Sequence, residues 1–247
     1  MPPRSIYQNA ITATAQITPG NTLSGFTRAS LIDDYKQSVW RSSTAGATVT
    51  LTIDLGAATN IRALVLYNHN LRTVTGTFQL KYGATSPASN LITVAAMTPS
   101  IYVMFFATHN ARYWSFSMKQ SIASGFYQIG ELKLAQYREF TFFFRDKWEF
   151  GIDSNEQVSE TPGGVRWRLP SFERKSLTLT WDEMEDNKDK TYWNQIFDSR
   201  KKRLPFFFCP NPSIPSSTMF VTIKNMLRFK NQHTDRFSLQ VQLEEEL

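Results

Sequence analysis

The segment 67–72 carries the side chains best suited to bind a ligand. Asn68, His69, Asn70 and Arg72 offer amide, imidazole and guanidinium groups, which can hydrogen-bond a sugar hydroxyl or an acidic group. An ordinary polar turn after a strand uses the same residue types. The sequence therefore predicts Asn68, His69, Asn70 and Arg72 as ligand-binding residues, with a polar turn as the alternative.

A run of carboxylates lies at 182–189, just before a predicted helix. A glycosidase needs two carboxylates about 5 to 9.5 Å apart across a cleft, and a hydrated run before a helix does not provide one. We interpret the run as a solvated loop, or as a surface that meets the basic turn after the helix in a neighbouring subunit of a ring. The predicted subunit-interface residues are Asp186, Asp189, Arg200, Lys201, Lys202 and Arg203.

Residue patterns for catalysis or metal binding are missing elsewhere in the sequence. His69, His109 and His233 lie far apart, so no pair has the helical spacing of metal ligands, and there is no phosphate-binding loop or nucleophile elbow. Cys209 stands in the apolar run 206–210 and is predicted to be a small buried hydrophobe. We therefore expect no catalytic residue, no metal site and no cofactor, and hence no enzyme.

Length and charge indicate two domains. The chain has 247 residues and a net charge of +6. Residues 1–136 hold 10 Lys+Arg against 4 Asp+Glu, and residues 137–247 hold 17 of each. The basic residues of the first half are scattered singly, so we predict no nucleic-acid contact. No apolar run reaches the roughly 18 residues that cross a bilayer, so we predict no membrane insertion. A single cysteine and an N-terminus without a secretory pattern predict folding in the cytoplasm of the producing cell.

Short strands separated by turn residues run through the first half. Residues 47–56 alternate apolar and polar side chains, which indicates a strand with one buried face, and residues 61–67 are almost continuously apolar, which indicates a central strand. No amphipathic helix separates the strands, so the pattern predicts an antiparallel sandwich or jelly roll. Four further strands are predicted at 78–82, 101–106, 113–118 and 129–134.

The first half contains an ordered series of motifs. They are Asp34 in an early loop, Trp40, the strand 51–56 ending in Asp-Leu-Gly, the strand 61–66, Tyr113-Trp114, and Ile129-Gly-Glu-Leu132. This series resembles the discoidin, or coagulation-factor type C, family of galactose-binding-like domains. The resemblance implies a jelly-roll β-sandwich over residues 1–136 that binds sugars, lipid head groups or proteins through the loops at one end. The family's frequent terminal disulfide is absent here.

The second half, 137–247, is predicted to be a further β-sandwich flanked by one helix. An aromatic segment at 140–150 and strands at 166–169 and 174–181 precede the helix. The helix is expected over about 191–203, because acidic residues precede it and basic residues end it, which suits the helix dipole. Strands at 204–209, 219–226 and 237–243 complete this half.

Four features of the second half occur together: the strand Leu177-Thr-Leu-Thr-Trp181, the helix with a bulky apolar face, the basic turn into Arg-Leu-Pro-Phe-Phe-Phe, and the closing strand at 237–245. Together they resemble the tail-tube-like domain of bacteriophage distal tail proteins. The resemblance implies a structural virion protein of a phage tail tip or baseplate, made in the host cytoplasm. It also implies a homo-oligomeric ring, a hexamer by family analogy, that joins the tail tube to hub and tip proteins.

Two functions follow from these resemblances. The main prediction is a distal-tail-type ring protein, with a cell-surface glycan as a further partner of the first domain. The alternative is a lectin-like adhesin or receptor-binding tail protein in which the first sandwich binds cell-surface glycans.

Overall fold

The fold is given by a computed structural model. It describes residues 1–35, 37–44, 47–71, 76–94, 97, 100–120, 125–140, 148–154, 158–160, 166–168, 173–201, 203–233 and 236–246. Strands make up 56% of the chain and the described residues include one α-helix, which confirms the predicted mainly β fold class. None of the helices in these ranges is long and apolar enough to span a membrane.

The chain divides into two compact units. The first unit holds Pro3–Glu139 and Cys209–Thr218, and the second holds Phe140–Phe208 and Met219–Leu247. The sequence predicts a boundary after residue 136, whereas the first unit continues to Glu139. No sequence pattern indicates that 209–218 belongs with the first half.

Among the described residues, ten strands and three short 3-10 helices form the first unit. The 3-10 helices are Thr14–Gln16, Arg28–Leu31 and Pro215–Ser217. The strands are β1 (Arg4–Ile6), β2 (Ile17–Pro19), β3 (Trp40–Arg41), β4 (Val49–His69), β5 (Gly76–Gly83), β6 (Asn90–Thr93), β7 (Ser100–Gln120), β8 (Gln128–Ile129), β9 (Glu131–Ala135) and β10 (Arg138–Glu139).

Two long strands, β4 and β7, pair antiparallel and supply both layers of the sandwich. Their first-layer halves pair at 49–54 with 113–118, flanked by β2 and by β5 with β6. Their second-layer halves pair at 63–67 with 101–105, and β9 lies beside β4 there. Register shifts between Asp54 and Thr59 and between Ile61 and Ala63 mark the bend. The sequence predicted two strands in place of each long one, because the bend carries exposed polar residues.

Hydrogen bonds at 127–128 show that β4 folds back on itself. The Tyr127 hydroxyl donates to the Ala47 carbonyl at 3.1 Å, and the Gln128 N–H donates to Asn70 Oδ1 at 2.8 Å. Residue 47 precedes β4 and residue 70 follows it, so both ends of the strand lie at one end of the sandwich. The bend lies at the other end.

The core of the first unit lies between the two layers. Alternate residues of β4, β5 and β7 face it from the first layer, and residues of β4, β7 and β9 face it from the second. All are nearly or fully buried: Leu51, Ile53, Trp114, Phe116 and Leu80 in the first layer, and Leu64, Leu66, Met104, Leu132 and Leu134 in the second. Burial of this apolar area is the main source of stability for the unit.

The second unit is mainly antiparallel β with one helix. Its main sheet has the order β15-β16-β18-β14-β11, with β17 also paired to β18, and β12 pairs with β13. The elements are β11 (Trp148–Ser154), β12 (Val158–Glu160), β13 (Arg166–Arg168), β14 (Glu173–Glu185), α1 (Thr191–Arg200), β15 (Phe206–Cys209), β16 (Met219–Ile223), β17 (Phe229–His233) and β18 (Arg236–Glu245).

Helix α1 contributes to an aromatic core. The Trp193 ring lies 5.1 Å from the Phe140 ring, 5.3 Å from the Trp181 ring and 6.4 Å from the Phe208 ring, centroid to centroid. Ile196 is fully buried on the same helix. The apolar positions predicted for the helix therefore do face a core.

The acidic run before α1 is not the loop that we predicted. Strand β14 continues through Glu185, and a π-helical turn, Asp186–Lys190, connects it to the helix. Met184 is fully buried, and its burial stabilises the strand across the acidic run. The helix ends at Arg200, three residues earlier than expected, because Lys201 has φ +52°.

Candidate functional site

Three segments of the first unit meet at the end of the sandwich where β4 begins and ends. They are residues 22–42, 67–71 and 125–131, which we call the loop end. Strand β3 pairs with β8 here, with Trp40 opposite Ile129 and Arg41 opposite Gln128. The Leu23 N–H donates to the Arg41 carbonyl at 2.8 Å, which ties the first segment to this ladder.

Gly130 lets the second and third segments approach closely. Its N–H donates to the Tyr67 carbonyl at 2.9 Å. A Cβ at this position would lie 2.9 Å from Asn68 Cβ, closer than real contacts allow, and 3.3 Å from the Ser38 carbonyl oxygen, a tight contact. Asn68 itself has φ +50°, in the left-handed region that Asn tolerates. The close approach therefore depends on glycine.

The predicted ligand residue Asn70 holds the loops together. Its Nδ2 donates to the Phe126 carbonyl at 3.0 Å, and its Oδ1 accepts from the Gln128 N–H at 2.8 Å. Both functional atoms of the amide are thus hydrogen-bonded to the backbone of the third segment. Asn70 fixes the shape of the loop end.

The predicted ligand residue His69 is 4% exposed. Its Nδ1 accepts from the Leu71 N–H at 3.2 Å, which assigns the ring proton to Nε2. Nε2 has no hydrogen-bond partner among the described residues. Burial lowers the pKa of His69 to about 4, so the ring is neutral at physiological pH. Asn68 is half-buried, and Arg72 lies outside the described residues. Ligand binding by Asn68, His69, Asn70 and Arg72 stays a prediction.

Arg41 is a residue of the loop end that the sequence analysis did not single out. Its Nε donates to Gln128 Oε1 at 3.0 Å. Its Cζ lies 4.4 Å from the centroid of the Phe26 ring and 4.5 Å from that of the Phe126 ring. The three side chains are half-buried. In the sequence Arg41 was one of several scattered basic residues, and only its place next to Trp40 could have drawn attention to it.

A buried charged group lies beneath the same loops. Lys133 Nζ binds the Asp34 carboxylate and lies 3.6 Å from Glu131 Oε1, and the Lys133 side chain is 1% exposed. Glu131 Oε2 accepts from the Asp34 N–H at 3.1 Å. Burial raises the pKa of Glu131 to about 8, although the Lys133 charge opposes the shift. Glu131 is therefore mostly protonated at neutral pH, which leaves one ammonium facing one carboxylate.

The predicted interface residues of the second unit differ in exposure. Asp189 is fully buried and Arg200 is 9% exposed, whereas Lys201 and Arg203 are exposed. The backbone of Asp186 lies in the π-helical turn, and the structure does not describe its side chain or Lys202. A subunit interface at these six residues stays a prediction.

A metal cluster and a reactive thiol are not features of the described structure. No group of three or more His, Cys, Asp or Glu side chains that could hold a metal ion occurs within the described ranges. Cys209 is 1% exposed, and burial raises the pKa of its thiol, so it is protonated and shielded. The buried position agrees with its interpretation as a core residue.

Comparison with known proteins gives similarity at the level of structure only. No family model and no curated protein matches the sequence. Half of the chain is similar to carbohydrate-binding modules. Chitosan-binding module 1 of a Paenibacillus sp. IK-5 chitosanase/glucanase has a TM-score of 0.43 and 17% identity over 52% of this chain and 99% of that one. Module CBM32-1 of a Clostridium perfringens family 31 glycoside hydrolase has a TM-score of 0.43 and 15% identity over 53% and 99%.

A third structure is a whole enzyme. The GH29 fucosidase of Ruminococcus gnavus, in complex with fucose, has a TM-score of 0.45 and 14% identity over 52% of this chain but only 26% of its own. The resemblance of the second half to distal tail proteins stays a prediction, on which these structures do not bear.

Proposed function

We propose that this chain is a non-enzymatic binding protein of the lectin type, and that the loop end of its first unit binds a glycan. The observation that carries the proposal is a loop end whose loops are fixed by hydrogen bonds and which has N–H donors without an acceptor among the described residues. Asn70 and Gly130 fix the loops by hydrogen bonds, while Arg41 and Gln128 keep N–H groups beside the Phe26 and Phe126 rings.

Such an arrangement suits sugar recognition. A sugar presents hydroxyl groups along its edge and C–H groups on its faces, so a site needs hydrogen-bond donors next to apolar rings. Loops that are ordered before binding lose little conformational entropy when a ligand arrives. Tyr35, which is 69% exposed, adds an aromatic ring to the first segment.

A glycan array with the full-length protein tests the proposal. We expect binding to a subset of glycans, strongly weakened in Phe126→Ala and unchanged in Asn110→Ala, which removes an exposed amide at the other end of the sandwich. Equal weakening in both variants, or no glycan bound by the wild type, would refute it. The bound glycan should also be recovered intact after long incubation, because we propose no catalysis.

We also propose, second, the tail-tip role for the whole chain, with a virion location. Its support is the second unit, which combines a main antiparallel sheet with one helix and exposes Lys201 and Arg203 in the turn after it. Light scattering and negative-stain imaging test this role. Closed rings that dissociate when Lys201 and Lys202 are changed to Glu would support it, and rings unaffected by these changes would count against this interface.

A further inference from the structure

We infer that the loop end selects glycans that carry a carboxylate, as uronic acids do, and that Arg41 binds this carboxylate. The inference rests on the proposed function, because it names the ligand class for the same site. It starts from the parts of the guanidinium that the protein already uses.

The contacts of Arg41 leave one edge of the guanidinium available. Its Nε–H donates to Gln128 Oε1, and the Phe26 and Phe126 rings contact the group at 4.4 and 4.5 Å from Cζ. Cation–π contacts use the flat faces of a guanidinium, so its in-plane N–H groups stay available. Within the described ranges, Nη1 and Nη2 have no acceptor and Arg41 forms no ion pair.

Other arginines of the first unit behave differently. Each of four donates from an Nη group to a protein acceptor, two of them to carboxylates and two to backbone carbonyls. A partnered guanidinium is thus the ordinary state in this unit, and Arg41 differs from it at the end of the sandwich where we expect a ligand. The four are Arg4 with Glu139, Arg28 with Ile17, Arg62 with Tyr137 and Arg112 with Asp54.

A carboxylate is the group that best fits this edge. Two N–H groups of a guanidinium match the two oxygens of a planar carboxylate in parallel hydrogen bonds. The flanking rings offer apolar surface to sugar C–H groups. The Nε2 hydrogens of Gln128, whose Oε1 already accepts from Arg41, add further donors. We therefore commit to an acidic sugar as the ligand.

The position of Arg41 is fixed before any ligand arrives. Its backbone pairs with Gln128 in the β3–β8 ladder, and its carbonyl accepts from Leu23. Two rings and one hydrogen bond restrict the side chain as well. Binding a carboxylate therefore needs little rearrangement.

Titration calorimetry with two matched ligands tests the inference. The full-length protein is titrated with oligogalacturonate and with its methyl ester, which keeps the sugar rings but removes the charge. We expect the acid to bind at least about tenfold more tightly, the typical value of a lost charge-assisted hydrogen-bond pair. Arg41→Lys keeps the charge but not the planar guanidinium, and should lose most of this preference, whereas Arg112→Gln, which removes a charge at the bend, should keep it.

Each contrary outcome is distinct. Equal affinity for the acid and the ester overturns the carboxylate inference and leaves glycan binding intact. No binding to these ligands or to any glycan on the array overturns the proposed function. Equal losses in Arg112→Gln and Arg41→Lys, or equally tight binding of dextran sulfate, would show general attraction to charge. Tighter binding of poly-glutamate than of the sugar acid would point to an acidic protein surface instead. The ligand comparison uses the wild type, so it stands even if Arg41→Lys folds poorly.

Discussion

Both ends of the first unit's sandwich carry oppositely charged side chains in contact, but the two groups differ in exposure to solvent. At the loop end, Lys133, Asp34 and Glu131 form a buried group in which the lysine side chain is 1% exposed. At the bend of β4 and β7, Asp54 accepts from Arg112 Nε at 2.7 Å and from Nη2 at 2.8 Å, with side chains that are 39% and 43% exposed. Burial is the main difference between them.

Burial changes what each group does. An exposed ion pair loses hydration when it forms, which offsets most of the attraction between the charges. It therefore adds almost nothing to the stability of the backbone around it. A buried charge left alone has no water to replace its partner, so every member of the group depends on the others. The loop end is therefore built from mutually dependent polar groups, which keep the loops fixed, and the bend is not.

Removing the buried ammonium should have the largest effect. Lys133→Met leaves the Asp34 carboxylate beside the protonated Glu131 without its counter-charge, and we expect a loss of about 3 kcal/mol in the free energy of unfolding. Urea denaturation measures the loss, and hydrogen exchange at β9 assigns it to the first unit. The triple variant Asp34→Asn, Glu131→Gln, Lys133→Met has no charge to strand and should be more stable than Lys133→Met alone. If the two variants were equally unstable, packing and not charge would explain the loss.

The pH dependence of the loop end should come next. Burial raises the pKa of Glu131 from 4.5 to about 8, so the folded state binds more protons than the unfolded state between these values. Its contribution is therefore fully present below pH 4.5 and is lost as the pH rises through about 8. Glu131→Gln cannot ionise, so it should gain stability relative to the wild type, on the order of 1–3 kcal/mol, from about pH 5 to about pH 9.

A second buried titratable group, His69, lies in the same loops and must be separated from Glu131. The pKa of His69 is lowered to about 4, so its contribution is present above pH 6.5 and is lost as the pH falls toward 4. Both proteins contain His69, so its effect cancels in the difference between them. A difference that stays flat from about pH 5 to about pH 9 would mean that Glu131 ionises normally in the folded protein.

Sequence patterns predict the strands but not the polar contacts between the loops. The strands at 47–56 and 61–67 follow from apolar periodicity, a local property of the chain. The Asp34–Lys133 pair joins residues 99 positions apart, and Arg41 meets Gln128 across 87. No local signal encodes such a pairing, and a buried lysine within a strand has the same sequence as an exposed one. The polar segment 67–72 was found because its residue types are unusual, whereas Arg41 was not.

A smaller loss is expected when the amide of Asn70 is removed. Asn70→Ala leaves the Phe126 carbonyl and the Gln128 N–H without their present partners, which should cost about 1–2 kcal/mol. Asn70→Asp keeps the acceptor for Gln128 but turns a carboxylate oxygen toward the Phe126 carbonyl, which it repels, so it should be no more stable than Asn70→Ala. Thermal denaturation measures both variants. If Asn70→Ala matched the wild type in stability but lost glycan binding, the amide would contact the ligand and not the loops.

The smallest effect should be at the bend. The Arg112 hydrogen bond lowers the pKa of Asp54 to about 2, yet both side chains are open to water, which screens the pair. Arg112→Gln should therefore move the pKa of Asp54 back toward its ordinary value, as followed by NMR titration, and leave the urea midpoint at neutral pH unchanged. A midpoint lowered as far as that of Lys133→Met would contradict this. It would mean that the pair holds β4 in its folded-back course, and that position in the fold, not burial, separates the two ends.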